Sequence, residues 1–225
     1  MDEKRPRGWF IVGTDTSVGK TRFGVRLAAA LTERGDRVGV YKPVETGWGD
    51  DPRTTDAFQL WRAAGESGSL DRVCPQHFAA PLAPYLAARQ EGRTVDERLL
   101  ISGMSVYSDA VDWLLVEGAG GLCSPITPTL LVIDLAVRLK LPLLLVAPDR
   151  LGAMNQVLMA LAAAELHGPD LPIAGVVLSQ PHPRDPADSE THVDFLTRKI
   201  GARMLGVLPY EAASLAPEIV DRLVG

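Results

Sequence analysis

The 225-residue chain has only two cysteines, Cys74 and Cys123, too few for a disulfide framework or for a zinc site of the common four-ligand kind. Both read as reduced thiols, which points to the cytoplasm. The four histidines, His77, His167, His182 and His192, lack metal-ligand spacing and read as ordinary polar or surface residues. Basic residues are outnumbered: 23 Lys+Arg against 28 Asp+Glu give a formal net charge of -5, which argues against a broad nucleic-acid face. The one basic cluster, Lys4, Arg5 and Arg7, reads as a frayed, solvated terminus. Long apolar runs are also missing. No apolar stretch of signal-peptide length follows "MDEKRPRG", so export is not expected. The most hydrophobic region, "LLVIDLAVRLKLPLLLVA", is broken by Asp134, Arg138, Lys140 and Pro142; it reads as helix, turn and strand and not as a membrane span.

What is present is a rhythm. Short runs apolar throughout occur at 9–13, 37–42, 113–118, 141–147, 173–179 and 202–209, the pattern of strands buried on both faces. Helical periodicity fills about 20–34, 56–65, 94–109, 129–139, 153–167, 189–200 and 214–223. This alternation predicts a single α/β domain over residues 1–225 with a mostly parallel central sheet and helices on both faces, and "GTDTSVGKT" at 13–21, at a strand-to-helix junction, makes it a P-loop nucleotide-binding fold. Two stretches rich in Gly, Pro and polar residues, 43–54 and 66–92, are expected as irregular loops at the ligand-binding edge of the sheet. The Pro-rich segment 179–190 is expected as a mobile surface loop.

Three stretches carry chemistry. "GTDTSVGKT", residues 13–21, lies between a buried strand and a helix, where backbone N–H groups and the helix dipole hold phosphate. Its spacing is unusual: five residues, not four, separate Gly13 from Gly19. Gly19 allows close approach of the backbone, Lys20 reaches the β- and γ-phosphates, and the Thr21 hydroxyl suits Mg²⁺. In "LLVEGAGG", residues 114–121, a strand ends in Glu117, an expected Mg²⁺ ligand, and Gly118 to Gly121 are expected to leave room for phosphates. In "YKPVETG", residues 41–47, Lys42 brings a second ammonium to the same edge, suited to charge developing at the γ-phosphate, and Thr46 offers a hydroxyl to a substrate. Asp56, at a helix start, reads either as an N-terminal cap, the commoner case, or as a further Mg²⁺ ligand.

These three motifs in this order resemble the dethiobiotin synthetase family, whose own phosphate loop has the longer spacing. The similarity continues through "TTDA" at 54–57, "APLAPYLAARQEG" at 80–92, "LGAMNQ" at 151–156 and "LGVLP" at 205–209. It implies an ATP- and Mg²⁺-dependent ligase of biotin synthesis. In that reaction CO2, drawn from bicarbonate, and 7,8-diaminononanoate give a carbamate, ATP phosphorylates it, and the second amine closes the cyclic urea. The resemblance implies Lys20, Lys42 and Thr16 at the reacting groups, and Thr21, Asp56 and Glu117 on Mg²⁺. It further implies nucleotide contacts from Ser17, Val18, Gly19, Arg22, Gly118, Ala119, Gly120, Ser179, Gln180, Pro209, Tyr210 and Glu211. The diamine would meet Thr16, Lys42 and Thr46, with its carboxylate tail held by Leu151, Gly152 and Asn155 of a second subunit in a homodimer. No nucleic acid or membrane partner is implied. The chain departs from the family at Ser17, where a glutamate is frequent, and at Ser179, where many members carry an asparagine that reads adenine. A lone hydroxyl cannot reproduce an amide's paired donor and acceptor, which opens the site to other nucleoside triphosphates. A regulatory nucleotide switch of the partition or cell-division kind would carry a signature lysine where Thr14, Asp15 and Thr16 stand. The amidating enzymes of cobalamin synthesis would normally add a glutaminase domain.

Overall fold

The computed structural model describes residues 7–183 and 185–225; Lys4 and Arg5 of the basic cluster and Arg184 of the Pro-rich segment lie outside them. Six parallel strands make the central sheet among these residues: β1 (Arg7–Gly13), β2 (Val38–Tyr41), β5 (Trp113–Gly121), β6 (Leu143–Pro148), β7 (Ile173–Ser179) and β8 (Met204–Leu208). Their spatial order is β2-β5-β1-β6-β7-β8. Strand β1 is thus central, with β5 on one side and β6 on the other, and everything that follows β1 at its C-terminal end stands in the middle of the ligand edge.

Alternation along the strands divides the core. Phe10, Val12, Leu114, Val116, Leu143 and Leu145 face one layer of helices, while Trp9, Ile11, Leu115, Leu144 and Val146 face the other. The first layer draws on α4 (Pro84–Gln90), α5 (Glu97–Ser102), α6 (Val132–Leu139), α7 (Ala153–His167) and α8 (Pro186–Ile200); the second on α1 (Lys20–Glu33), α2 (Asp56–Ala63) and α9 (Pro217–Val224). Both faces are sealed from water, which is why these strands read as unbroken apolar runs.

The two stretches expected as irregular loops are partly ordered. The first holds β3 (Glu45–Thr46) and a 3-10 turn at Pro52–Thr54; the second holds α3 (Leu70–Val73), β4 (His77–Phe78) and α4. Strands β3 and β4 pair in parallel, an arrangement too short for any periodicity to reveal. The helix expected over 94–109 is α5 followed by a 3-10 segment at Gly103–Tyr107. The segment 179–190 is not loop throughout: α8 begins within it at Pro186, and Ser189 is buried. Among the described residues no helix is long and apolar enough to cross a membrane.

Candidate nucleotide and phosphoryl-transfer site

Gly13 ends β1, and six residues later Gly19 begins α1 with φ 96°, a left-handed turn open to glycine and costly for other residues. The side of Gly19 is also closed: a Cβ there would run into Ser179 Oγ at the end of β7. Ser17, two residues before Gly19, is left-handed too, at φ 54°, an uncommon conformation for a residue with a Cβ. Within the loop, Asp15 Oδ1 accepts from the Thr16 amide at 2.7 Å, and Lys20 folds back so that Nζ donates to Asp15 O at 3.1 Å. Thr16 and Ser17 stand exposed on the outer arm, whereas the Val18 side chain is 2% exposed; Val18 can offer only its backbone to phosphate.

Beside this loop lies a buried ion cluster. Lys42, just past β2 and 3% exposed, donates to Asp56 Oδ2 at 2.8 Å and to Glu117 Oε1 at 2.5 Å. Thr21, in the first turn of α1, donates its hydroxyl to the same Glu117 oxygen at 2.9 Å. Glu117 is 1% exposed, and its other oxygen, Oε2, is buried without a hydrogen-bond partner among the described residues. Burial pushes the Glu117 carboxyl up, with Lys42 opposing. Burial also works against the charged Lys42, but Glu117 and Asp56 outweigh it and hold the ammonium above the usual lysine range. Asp56 moves the other way: partial burial raises it, but the charge and hydrogen bond of Lys42, a Thr21 hydroxyl and Lys20 bring it below the usual carboxylate range. Lys20 is lowered by burial and by its neighbour Lys42, against the attraction of Glu117. Two lysines, two carboxylates and a hydroxyl therefore meet at the ends of β1, β2 and β5. A carboxylate oxygen orphaned in a buried site, together with Asp56 and Thr21, is an oxygen donor set that suits a hard cation completed by phosphate. Among the described residues no three of His, Cys, Asp and Glu converge as a metal site.

Other expected site residues fall differently. At Gly118 a Cβ would meet the Val132 and Phe10 side chains at 2.8 and 2.9 Å, so core packing leaves no room for a side chain there. Further along, Gly121 approaches the loop instead, where a Cβ would stand 3.2 Å from Thr14 O. Ala119 and Gly120 are half-buried beside it. The Ser179 hydroxyl, 1% exposed beneath Gly19, does not face an open cleft. The Gln180 side chain is also turned inward. Its amide donates to Asp149 Oδ2 at 3.1 Å and Ser189 Oγ at 2.8 Å, and its oxygen accepts from the Tyr210 amide at 3.1 Å. The polar group that does lie across the ends of β7 and β8 is Arg22, whose guanidinium donates to Gln180 O at 3.0 Å and to Pro209 O. Pro209, Tyr210 and Glu211 are exposed beyond it.

A cavity of about 470 Å³ is lined at the base of the sheet by Arg7 and Trp113, far from this chemistry in the topology. Another, of about 450 Å³, opens between the phosphate loop and α7, lined by Thr14, Asp15, Cys123, Gln156 and Met159 among others. Leu151, Gly152 and Asn155 do not line it; they are exposed at the start of α7, where Gly152 caps the helix at φ 91°. Thr46 is half-buried on β3. Two features escaped sequence reasoning. Glu45 is buried and accepts from the Asp56 and Ala57 amides. His192, expected as an ordinary polar or surface residue, is buried with Nδ1 2.8 Å from Asp149 Oδ1. The i,i+3 spacing of Ser189 and His192 on α8, which puts both on one helix face, was the available signal.

Comparison with known proteins bears on the family and the fold. The family profile described as an AAA domain matches residues 7–218. A protein of Rhodopirellula baltica named ATP-dependent dethiobiotin synthetase BioD is 41% identical, over 88% of this chain and 82% of its own length. A protein of the same name from Bacillus subtilis is 36% identical over 97% and 93%. Among solved structures, a plasmid partition protein from Borrelia burgdorferi superposes with a TM-score of 0.57 at 12% identity, covering 97% of this chain and 95% of that one. The MinC:MinD cell division complex of Aquifex aeolicus gives 0.54 at 14% identity, covering 96% and 86%. At such identities these two speak for the fold alone.

Proposed function

The chain belongs to the ATP-dependent dethiobiotin synthetase family, an enzyme family of biotin synthesis, and we propose that it converts 7,8-diaminononanoate, CO2 and ATP into dethiobiotin, ADP and phosphate. An amine of the substrate adds to CO2 and loses a proton to give a carbamate. A carbamate oxygen then takes the γ-phosphoryl group as its bond to ADP breaks, forming a carbamic-phosphoric anhydride. The second amine attacks the carbonyl carbon, and phosphate leaves as the urea ring closes.

The observation that carries this reading is the buried meeting of Lys42 with Asp56 and Glu117, next to Lys20 and Thr21. Such a step needs no enzyme nucleophile, since placement and charge stabilisation suffice. Lys20 and Lys42 offset negative charge on the γ-phosphate and carbamate; the Thr16 hydroxyl, on the exposed arm of the loop, donates to the reacting oxygens. Thr21, Asp56 and Glu117 would hold Mg²⁺, which supplies charge neutralisation at the β- and γ-phosphates. In the free protein Lys42 balances both carboxylates; a cation held by them would leave its ammonium available to the reacting groups. Backbone amides of Ser17 to Thr21 cradle phosphate. Thr46 faces the substrate. Arg22, and the main chain of Ser179 to Gln180 and Pro209 to Glu211, border the base. Since the Gln180 amide is turned inward and Ser179 offers only a hydroxyl, nucleoside triphosphates besides ATP are expected to serve. The substrate's carboxylate tail meets Leu151, Gly152 and Asn155 of a second subunit, so residues 1–225 act as one domain in a cytoplasmic homodimer.

Purified protein with diaminononanoate, bicarbonate, Mg²⁺ and each nucleoside triphosphate in turn, with dethiobiotin detected by mass, tests the proposal. Absence of product with every nucleotide would sink it.

A further inference from the structure

The loop after β2 carries a carboxylate that no step of this reaction uses. Glu45 is 6% exposed, and both of its oxygens are engaged by main chain: Oε1 accepts from the Asp56 amide at 2.8 Å and Oε2 from the Ala57 amide at 3.0 Å. These amides belong to the first turn of α2, where N–H groups have no partner within the helix. The helix already has an ordinary cap, since Thr55 Oγ1 accepts from the Phe58 amide at 3.2 Å. Solvent could have satisfied the remaining amides at far less cost than a buried carboxylate.

What the buried link adds is position. Glu45 itself is fixed from behind, because its amide donates to Gln76 O at 3.0 Å and β3 pairs with β4. Three residues before it stands Lys42, whose ammonium meets the Asp56 carboxylate at 2.8 Å. The chain from Lys42 to Glu45, the grip of Glu45 on the Asp56 amide and the Asp56–Lys42 ion pair thus close a ring. Asp56 is held at both its main chain and its side chain, although its side chain is 42% exposed and would otherwise wander.

We propose that Glu45 is a positioning residue of the phosphoryl-transfer site: by gripping the first two amides of α2 it sets where the Asp56 carboxylate stands relative to Glu117 and Thr21. The inference rests on the reading of Asp56 as a ligand of the nucleotide-bound Mg²⁺. Its test is calorimetric binding of a non-hydrolysable ATP analogue to the full chain, once in Mg²⁺ and once in EDTA, because the ratio of the two affinities isolates what the cation adds. Asp56→Asn and Glu45→Ala should both lower that ratio, and Glu45→Ala should do so by roughly fivefold or more with its own affinity in EDTA unchanged. Glu45→Gln, which keeps one acceptor oxygen, should fall between. Thr55→Ala, which loosens the same helix one step away, should lower the thermal midpoint but leave the ratio alone. A Glu45→Ala protein that melts earlier yet keeps the wild-type ratio, or a Thr55→Ala protein that loses it equally, overturns the inference and leaves Glu45 a helix cap. Should Glu45→Ala fail to fold, Glu45→Gln decides in the same way. If Asp56→Asn leaves the ratio intact, the Mg²⁺ role of Asp56 fails first and takes the inference with it.

Discussion

Lys42 and Glu117 face each other at 2.5 Å with almost no access to water, and the energetics of such pairs are asymmetric. Removing one partner leaves an uncompensated buried charge, whereas replacing both can be nearly neutral. Lys42→Met is therefore expected to destabilise the protein by about 3 kcal/mol in urea titration and to reduce turnover about a hundredfold or more. Adding Glu117→Gln should restore much of the stability and none of the turnover. A double variant as unstable as the single one would show that the pair is not the source. Gly19 is constrained twice, by its positive φ and by Ser179 behind it. Gly19→Ala should lose about 1–3 kcal/mol along with nucleotide affinity. Pairing it with Ser179→Ala should relieve the collision but not the backbone strain, so full recovery in a double-variant cycle would contradict this account.

At the scale of elements, the functional side chains come from different elements: Lys20 and Thr21 from the first turn of α1, Lys42 from just past β2, Asp56 from the start of α2 and Glu117 from within β5. Apolar runs and helix periodicity made the strands and most helices legible, because each pattern is local. The small β3–β4 pair and the split of 94–109 into α5 and a 3-10 segment were not, because pairing across thirty residues leaves no periodic trace. At the other end of the sheet, Arg37 and Asp112 tie the entries of β2 and β5. Asp112 Oδ1 accepts from Nη2 at 2.8 Å and Oδ2 from the Arg37 amide at 2.9 Å. The Arg37 side chain and amide push the Asp112 carboxyl down from 3.8 to about 2. A folded-state value below the unfolded one means that the added stability is complete above the unfolded value and fades as pH falls toward the folded one. The difference in thermal midpoint between the wild type and Asp112→Asn should thus be constant down to about pH 5, shrink as pH falls through the folded value and vanish about a unit below it. Because the pair is exposed, the difference should be small; one that persists undiminished about a unit below the folded value would rule out the linkage.

At the scale of the whole molecule, the most exposed apolar side chains include Leu151, Met159 and Leu166, at 89%, 64% and 81%, all on or just before α7. Met159 and Leu166 are seven apart, hence on one helix face, and Met159 borders the cavity beside the phosphate loop. This is the face a second subunit would cover if the diamine's tail is held across an interface. Met159→Lys is expected to give a monomer in sedimentation with much reduced turnover at unchanged nucleotide affinity. A fully active monomer would remove the composite site.

The sequence by itself determined the fold class, and it singled out the phosphate loop with its longer arm and Lys20, Thr21, Lys42, Asp56 and Glu117 as candidates, because each belongs to a contiguous motif. Only tertiary structure decided how they are used. Asp56 is turned onto Lys42 instead of serving as a plain cap. Gly118 packs while Gly121 approaches the loop, and Ser179 and Gln180 face inward while Arg22 spans their edge. The buried place of Glu45 was likewise invisible, and that of His192 was signalled only by its i,i+3 spacing from Ser189. The physical reason is common to all of these: a side chain's partner in such a site comes from another strand or helix, and no local pattern records which neighbour the sheet order brings alongside.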